Sequence, residues 1–305
     1  MNPQPFRPPL GDLKVTQPDA TWALETYQAV DVEGVTADPI RTTFCRSGNM
    51  ENAKKRKLLF LHGADSNALE WRFVMRRLAE TGLDCTSLDW WSGGFTDRKP
   101  ITDVLKVQPT PPQPWVPVRD HIRAFWEQQL GGQKIVLVGT SLGGAVALDF
   151  AAKVPEAVEA LILVDAGGQS YKSPSPDAVT ALAPVVLQVK RFAAFVQARV
   201  PSEDVRLIAL HRTQPGWLEA GGEYLRSGSY QRAVGPELIK TVPQRTLVIW
   251  GEKDDILPVE DAHAFQRDLR DCAGVTVIPG SGHSPQLDNP EPTTRAIRQF
   301  VEGLP

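Results

Sequence analysis

The stretch Lys134-Ile-Val-Leu-Val-Gly139-Thr140-Ser141-Leu142-Gly143-Gly144-Ala-Val-Ala-Leu-Asp-Phe-Ala-Ala152 decides how the rest of the chain is read. Its first half is a continuous apolar run, the pattern of a strand buried on both faces. Its second half is rich in Ala and Gly and reads as a helix. The join, Gly139 to Gly143, fits G-x-S-x-G. A strand that turns sharply into a helix strains the backbone of the serine, and flanking glycines remove the Cβ atoms that would collide there. The hydroxyl then stands at the carboxyl end of the strand and the positive end of the helix. The bland alternative is a Gly-rich helix start in which Ser141 only caps. A phosphate-binding P-loop is excluded, because no Gly-Lys-Ser/Thr follows the glycines.

Outward from this point, strand and helix alternate. Lys57 to Leu61 is a second short apolar run, ending at His62-Gly63. Ala68 to Thr81 has helical periodicity, Asp84 to Trp90 reads as a strand, Val118 to Gln129 as a helix and Ala160 to Asp165 as a strand. Near the end come strand Arg245 to Trp250, helix Val259 to Leu269, strand Val275 to Ile278 and helix Glu291 to Val301. Thr21 to Arg46 predicts two antiparallel edge strands, and the Pro-rich Met1 to Asp19 an extended lead-in. The expected fold class is α/β, a doubly wound, mostly parallel eight-stranded sheet. Between Gly167 and Val242 the pattern turns helical, through Val179 to Val200, Glu203 to His211 and Trp217 to Arg226. Residues 1–167 and 243–305 are thus expected to form the core, and 168–242 an inserted helical cap. The Pro-rich Gln108 to Pro117 reads as a stiff loop near the site.

The 305 residues are 42% hydrophobic and 23% charged, so the chain can bury a large core. A net charge of −3 gives no electrostatic case for nucleic acid or an anionic membrane. Cys45, Cys85 and Cys272 are too few and too scattered for a disulfide framework or a metal site. No apolar run is long enough to span a bilayer. The N-terminus lacks the apolar segment of a signal peptide. A soluble, cytoplasmic protein is expected, with a removed targeting peptide left open.

With these motifs the sequence resembles the α/β-hydrolase superfamily, in its capped esterase, lipase and epoxide-hydrolase-like branch, over nearly all of Leu58 to Val301. His62-Gly63-Ala64 resembles that branch's H-G element, which implies an oxyanion hole made by the backbone N–H groups of Ala64 and Leu142. A serine nucleophile needs a base. Of five histidines, His121 and His263 fall in amphipathic helices and are expected to be solvated or packed at the surface. His62 reads as structural, and His211 lies in the cap. His283 stands in Pro279-Gly-Ser-Gly-His283-Ser-Pro285, where the superfamily places its catalytic histidine. The imidazole needs an acceptor at its second nitrogen. Trp250-Gly-Glu-Lys-Asp254-Asp255-Ile-Leu-Pro258 resembles the family's G-x-x-D-x-x-x-P segment and implies Asp254. Its neighbour Asp255 is expected to be solvated, and Asp165 is a rival because some relatives carry the acid after that earlier strand. A serine at the elbow, rather than an aspartate, argues against halide or epoxide chemistry. The loop Trp90-Trp91-Ser-Gly-Gly-Phe-Thr-Asp97 departs from the family pattern, although Asp89 and Gly94 keep its turn. Trp91 is expected to wall the acyl pocket, with core packing an equal alternative for Trp90.

The function expected is a serine hydrolase that cleaves a carboxylic ester of a small molecule through an acyl-enzyme on Ser141, with no metal and no cofactor. Phe192, His211 and Trp217 of the cap are expected to touch substrate, which favours a hydrophobic acyl or alcohol part. Equally open is that the cap's apolar residues only dock it on the core. The same three residues also serve C–C bond hydrolases, thioesterases, amidases and perhydrolases. A ligand receptor on a hydrolase scaffold is the rival from another class.

Overall fold

The computed structural model describes residues 2–47, 56–91, 93–98, 116–169, 202–226 and 234–305, with isolated positions between 186 and 197. The loop expected over Gln108 to Pro117 lies outside these, except its last two residues, which begin the helix Val116–Gln129. Most of the helix expected over Val179 to Val200 lies outside them too.

Among the described residues, nine strands form one sheet: β1 (Gln4–Pro5), β2 (Tyr27–Val32), β3 (Ile40–Ser47), β4 (Lys57–Leu61), β5 (Asp84–Leu88), β6 (Ile135–Thr140), β7 (Val158–Val164), β8 (Arg245–Gly251) and β9 (Cys272–Ile278). They are the eight read from the sequence plus the two-residue β1. Their order is β1-β2-β3-β5-β4-β6-β7-β8-β9. Pairings from β1 through β3 to β5 are antiparallel, and all those from β5 through β4 to β9 are parallel. After β4 the chain steps outward to β5, then returns to place β6 on β4's other side. The carboxyl ends of β4 and β6 therefore flank the switch point where such sheets open a crevice.

Side chains of the central strands alternate between two apolar layers. Leu59, Leu61, Leu137, Leu161, Leu163 and Trp250 pack with the helices Val116–Gln129, Leu142–Lys153 and Glu260–Asp268 through Phe125, Phe150 and Phe265. Leu58, Phe60, Val136, Val138, Ile162 and Ile249 face the helices Arg72–Glu80 and Pro290–Glu302 through Val74, Leu78, Ile297 and Val301.

One expected boundary is corrected. Thr21 to Glu25 is not strand but the end of a helix, Pro18–Glu25. Pro18 sits at the first helical position, where its fixed φ suits the turn and no N–H is missed. Asp19 faces the positive end of the helix dipole, and Ala20 and Ala23 bury the inner stripe. The edge strands begin only at Tyr27.

The loop after β5 is fixed by Asp89, whose buried carboxylate accepts from Tyr27 Oη (2.7 Å), Thr43 Oγ1 (2.6 Å), the Ala68 N–H (2.7 Å) and the Phe95 N–H (3.1 Å). This gathers the turn that follows β4, the loop after β5 and the edge strands around one anion, beside the switch point.

Candidate active site

Ser141 stands between β6 and the helix Leu142–Lys153 with φ 50° and ψ −119°. Left-handed backbone at a non-glycine residue costs free energy and persists only where its surroundings enforce it. Those surroundings are close: the Ser141 N–H donates to the Val164 carbonyl at 3.0 Å, and its carbonyl accepts from the Gly167 N–H at 2.9 Å. A Cβ on Gly139 would lie 2.3 Å from the Gly143 carbonyl oxygen, and one on Gly143 2.4 Å from that of His62. Only glycine at both positions lets β6, the helix and the end of β4 come this near.

His283 lies on the loop after β9. Its Nδ1–H donates to Asp254 Oδ2 at 2.7 Å, and its Nε2 accepts from the Ser141 hydroxyl at 2.9 Å. The carboxylate is an obligate acceptor, so it holds the proton on Nδ1 and leaves the Nε2 lone pair facing the serine. Asp254 is fixed in turn, its Oδ1 accepting the Ile256 and Leu257 N–H groups at 2.9 Å each. Three side chains from distant parts of the sequence thus form one hydrogen-bonded line at the sheet's carboxyl edge. Asp255 is exposed.

The sequence model of the alpha/beta hydrolase family matches residues 58–296. The chain belongs to this family. The hydrolase is 29% identical over 262 residues to the alpha/beta hydrolase domain-containing protein VTE7 of Arabidopsis thaliana, covering 82% of this chain and 75% of that protein. It is 26% identical over 289 residues to the monoacylglycerol lipase ABHD6 of Homo sapiens, covering 86% of this chain and 80% of the lipase. A thermophilic esterase from Thermogutta terrifontis has the same fold, with a TM-score of 0.71 at 22% identity over 91% of this chain and 99% of the esterase.

Asp165 of the hydrolase, the rival acid, is also at the site but does not hold the imidazole. It too has a positive φ, 42°. Its Oδ1 accepts the Gly251 N–H at 2.8 Å. Burial, and after it the neighbouring Asp254 carboxylate, push the Asp165 carboxyl up to about 8. Near neutral pH it is an acid with a proton to share with Asp254, not a second anion. Between the ordinary value of 3.8 and about 8, the folded hydrolase holds a proton here that the unfolded chain has lost, so stability falls as pH rises through that window. Asp165→Asn keeps an acceptor for Gly251 and a donor for Asp254 without titrating. Thermal melting between about pH 5 and pH 9 is expected to fall in the wild type and flatten in this variant. Parallel curves would remove the assignment.

Ala64 follows β4, and its neighbour Asp65 takes φ 55°. Asp65 Oδ1 accepts from Trp217 Nε1 at 2.6 Å and His211 Nε2 at 3.1 Å, and Oδ2 pairs with Arg212 at 3.2 Å. His211 and Trp217, expected to contact substrate, are thereby tied to the segment that carries Ala64. Burial lowers the His211 pKa, against the opposing pull of Asp65.

The other two residues expected to contact substrate sit elsewhere. Trp91 is 2% exposed and meets His121 edge-on at 6.1 Å, so it packs in the core instead of walling a pocket. Phe192 is 69% exposed, and Val189 and Val196 are exposed as well. His121 is corrected as well: it is fully buried, with Nε2 at 2.8 Å from Thr42 Oγ1 and Nδ1 accepting the Trp91 N–H at 3.1 Å. Burial takes its pKa down to about 3, so it stays neutral. His62 stacks on Trp90 at 5.1 Å, and Trp90 Nε1 donates to the His62 carbonyl at 3.1 Å, which accounts for both residues as packing.

Among the described residues, no helix is long and apolar enough to cross a membrane.

Proposed function

We propose that this protein is a serine esterase in which Ser141 attacks the carbonyl carbon of a carboxylic ester and becomes acylated. The observation that carries the reading is the line Ser141–His283–Asp254, with contacts of 2.9 and 2.7 Å, on a serine held at φ 50°. His283 Nε2 takes the hydroxyl proton as the C–O bond forms, then returns it to the departing alcohol. Asp254 keeps the imidazole in the tautomer that can accept and stabilises the imidazolium. The N–H groups of Ala64 and Leu142 receive the oxyanion. Leu142 begins its helix, so its N–H has no partner within the helix. Water then repeats the sequence on the acyl-enzyme, with His283 again taking the proton.

Residues 168–242 act, in this reading, as a cap over the crevice, with His211 and Trp217 bounding the substrate beside the oxyanion donors. Their link to Asp65, one residue after Ala64, supports that placement. A hydrophobic acyl or alcohol part is favoured by the apolar residues of this segment, and the lipase and esterase named above support an ester bond.

A fluorophosphonate probe is expected to label the wild-type protein and spare Ser141→Ala, while a p-nitrophenyl acyl series gives turnover that rises with chain length. Labelling that persists without Ser141 would end the proposal. Turnover of a meta-cleavage diketone in place of the esters would redirect it to C–C bonds.

A further inference from the structure

Glu70 is a buried charge that the proposed reaction does not use. It lies in the short turn Ala68–Trp71, is 6% exposed, and makes no ion pair among the described residues. Burying a carboxylate without a cation is costly unless its oxygens receive good donors. Both do. Oε2 accepts the Gly63 N–H at 2.9 Å, and Oε1 accepts from Gln286 Nε2 at 2.9 Å. Gln286 is fully buried three residues beyond His283, and its Nε2 also reaches Thr140 Oγ1 at 3.3 Å, directly before Ser141.

We propose that Glu70 and Gln286 are a positioning pair that sets the oxyanion donor against the nucleophile and the base, an inference that rests on the roles given above to Ser141, His283 and Ala64. One carboxylate–carboxamide contact joins the three segments that carry them. The geometry at Gly63 gives the pair its leverage. A Cβ built there would stand 3.3 Å from Ser141 Cβ and 3.6 Å from Glu70 Oε1, so this backbone runs directly beside the serine. The Gly63 carbonyl accepts from His62 Nδ1 at 2.8 Å. In a trans peptide the next N–H, that of Ala64, points opposite to this carbonyl. With the Gly63 N–H held by Glu70 and its carbonyl by His62, both peptides around Gly63 are fixed, and the direction of the Ala64 N–H is fixed with them. Without Glu70, one of those anchors is gone and the histidine loop loses its tie to the turn.

The donor pattern makes the test sharp. Gln286→Glu sets two carboxylates face to face, whereas the exchange Glu70→Gln with Gln286→Glu restores every bond. In the exchanged pair Gln at 70 accepts from Gly63 and donates across the gap, and the oxygen of Glu at 286 that takes the place of Nε2 receives both that N–H and the Thr140 hydroxyl proton. Steady-state kinetics on a p-nitrophenyl ester, with active sites counted by fluorophosphonate, should show kcat per site down about 100-fold in Gln286→Glu with KM little changed. The exchanged pair should recover to within about fivefold of wild type. A role in folding alone would lower the number of sites and leave kcat per site untouched. Should Gln286→Glu not fold, the near-isosteric Glu70→Gln carries the same readout, with a loss of about tenfold as Gln286 must turn its amide and bury its NH2 where its unpartnered Oε1 lay. Wild-type kcat per site in the single variants, or no recovery in a folded exchanged pair, overturns the proposal. Persisting turnover in Ser141→Ala would instead overturn the esterase reading on which it rests.

Discussion

Ser141→Ala is expected to lower kcat for an activated ester by about a millionfold, His283→Ala by nearly as much, and the double variant by little more. The reason is that the two side chains act through one bond. The 2.9 Å contact from the serine hydroxyl to Nε2 is the path of the proton. Without the imidazole the hydroxyl stays a poor nucleophile, and without the hydroxyl the imidazole has nothing to activate. Asp254→Asn is expected to cost about 10⁴-fold with the fold intact. Two backbone N–H groups already hold Oδ1, so an asparagine keeps its carbonyl oxygen there and turns its NH2 toward Nδ1. Nδ1 must then accept, the ring proton moves to Nε2, and the nitrogen facing Ser141 can no longer take a proton. Single-turnover rates on the purified variants check all four cases. Losses that multiply in the double variant, or a wild-type rate in Asp254→Asn, would mean that the hydrogen-bonded line is not the reaction path.

The parts of this site that the sequence makes legible are those encoded within a few residues of one another. The elbow needs two glycines around Ser141, the histidine loop its Gly-Ser-Gly, and the acid its Gly-x-x-Asp turn, so each motif announces itself locally. Parallel strands buried on both faces read just as directly. What stays hidden depends on partners far along the chain. Glu70 reads as a polar position in an amphipathic helix, because nothing nearby says that Gly63 and Gln286 will close around it. His121 looks like a surface residue for the same reason, since Thr42 buries it from 79 positions away. Asp165 is visible as a candidate acid, but the burial that keeps its proton on comes from packing beside Asp254. The helix Pro18–Glu25 is missed because only two small residues, Ala20 and Ala23, are fully buried on it.

Gly143→Ala is expected to be severely damaging for one added methyl group. The new Cβ would stand 2.4 Å from the His62 carbonyl oxygen and 2.5 Å from that of Leu61, both fixed backbone at the end of β4. Neither can rotate aside as a side chain would. The helix Leu142–Lys153 must therefore move away from β4, against a face where Leu142, Val146 and Phe150 are buried in the core. A cost of about 4 kcal/mol or more is expected, at the exceptional end for one substitution. In thermal melting that is a loss of about 10 °C. Gly235→Ala, where nothing lies within 4 Å of the added atom, serves as the control and should stay within about 0.5 kcal/mol. Activity should fall further than unfolding explains. The displaced helix carries the Leu142 N–H and drags the Ser141 hydroxyl off the line to Nε2, and a shift near 1 Å in such an arrangement costs about 100-fold in rate. The two losses are separable, by counting folded sites with a fluorophosphonate and dividing the rate by that number. A Gly143→Ala protein with wild-type melting and wild-type turnover per site would show that the close approach of β4 to this helix does not hold the serine in place.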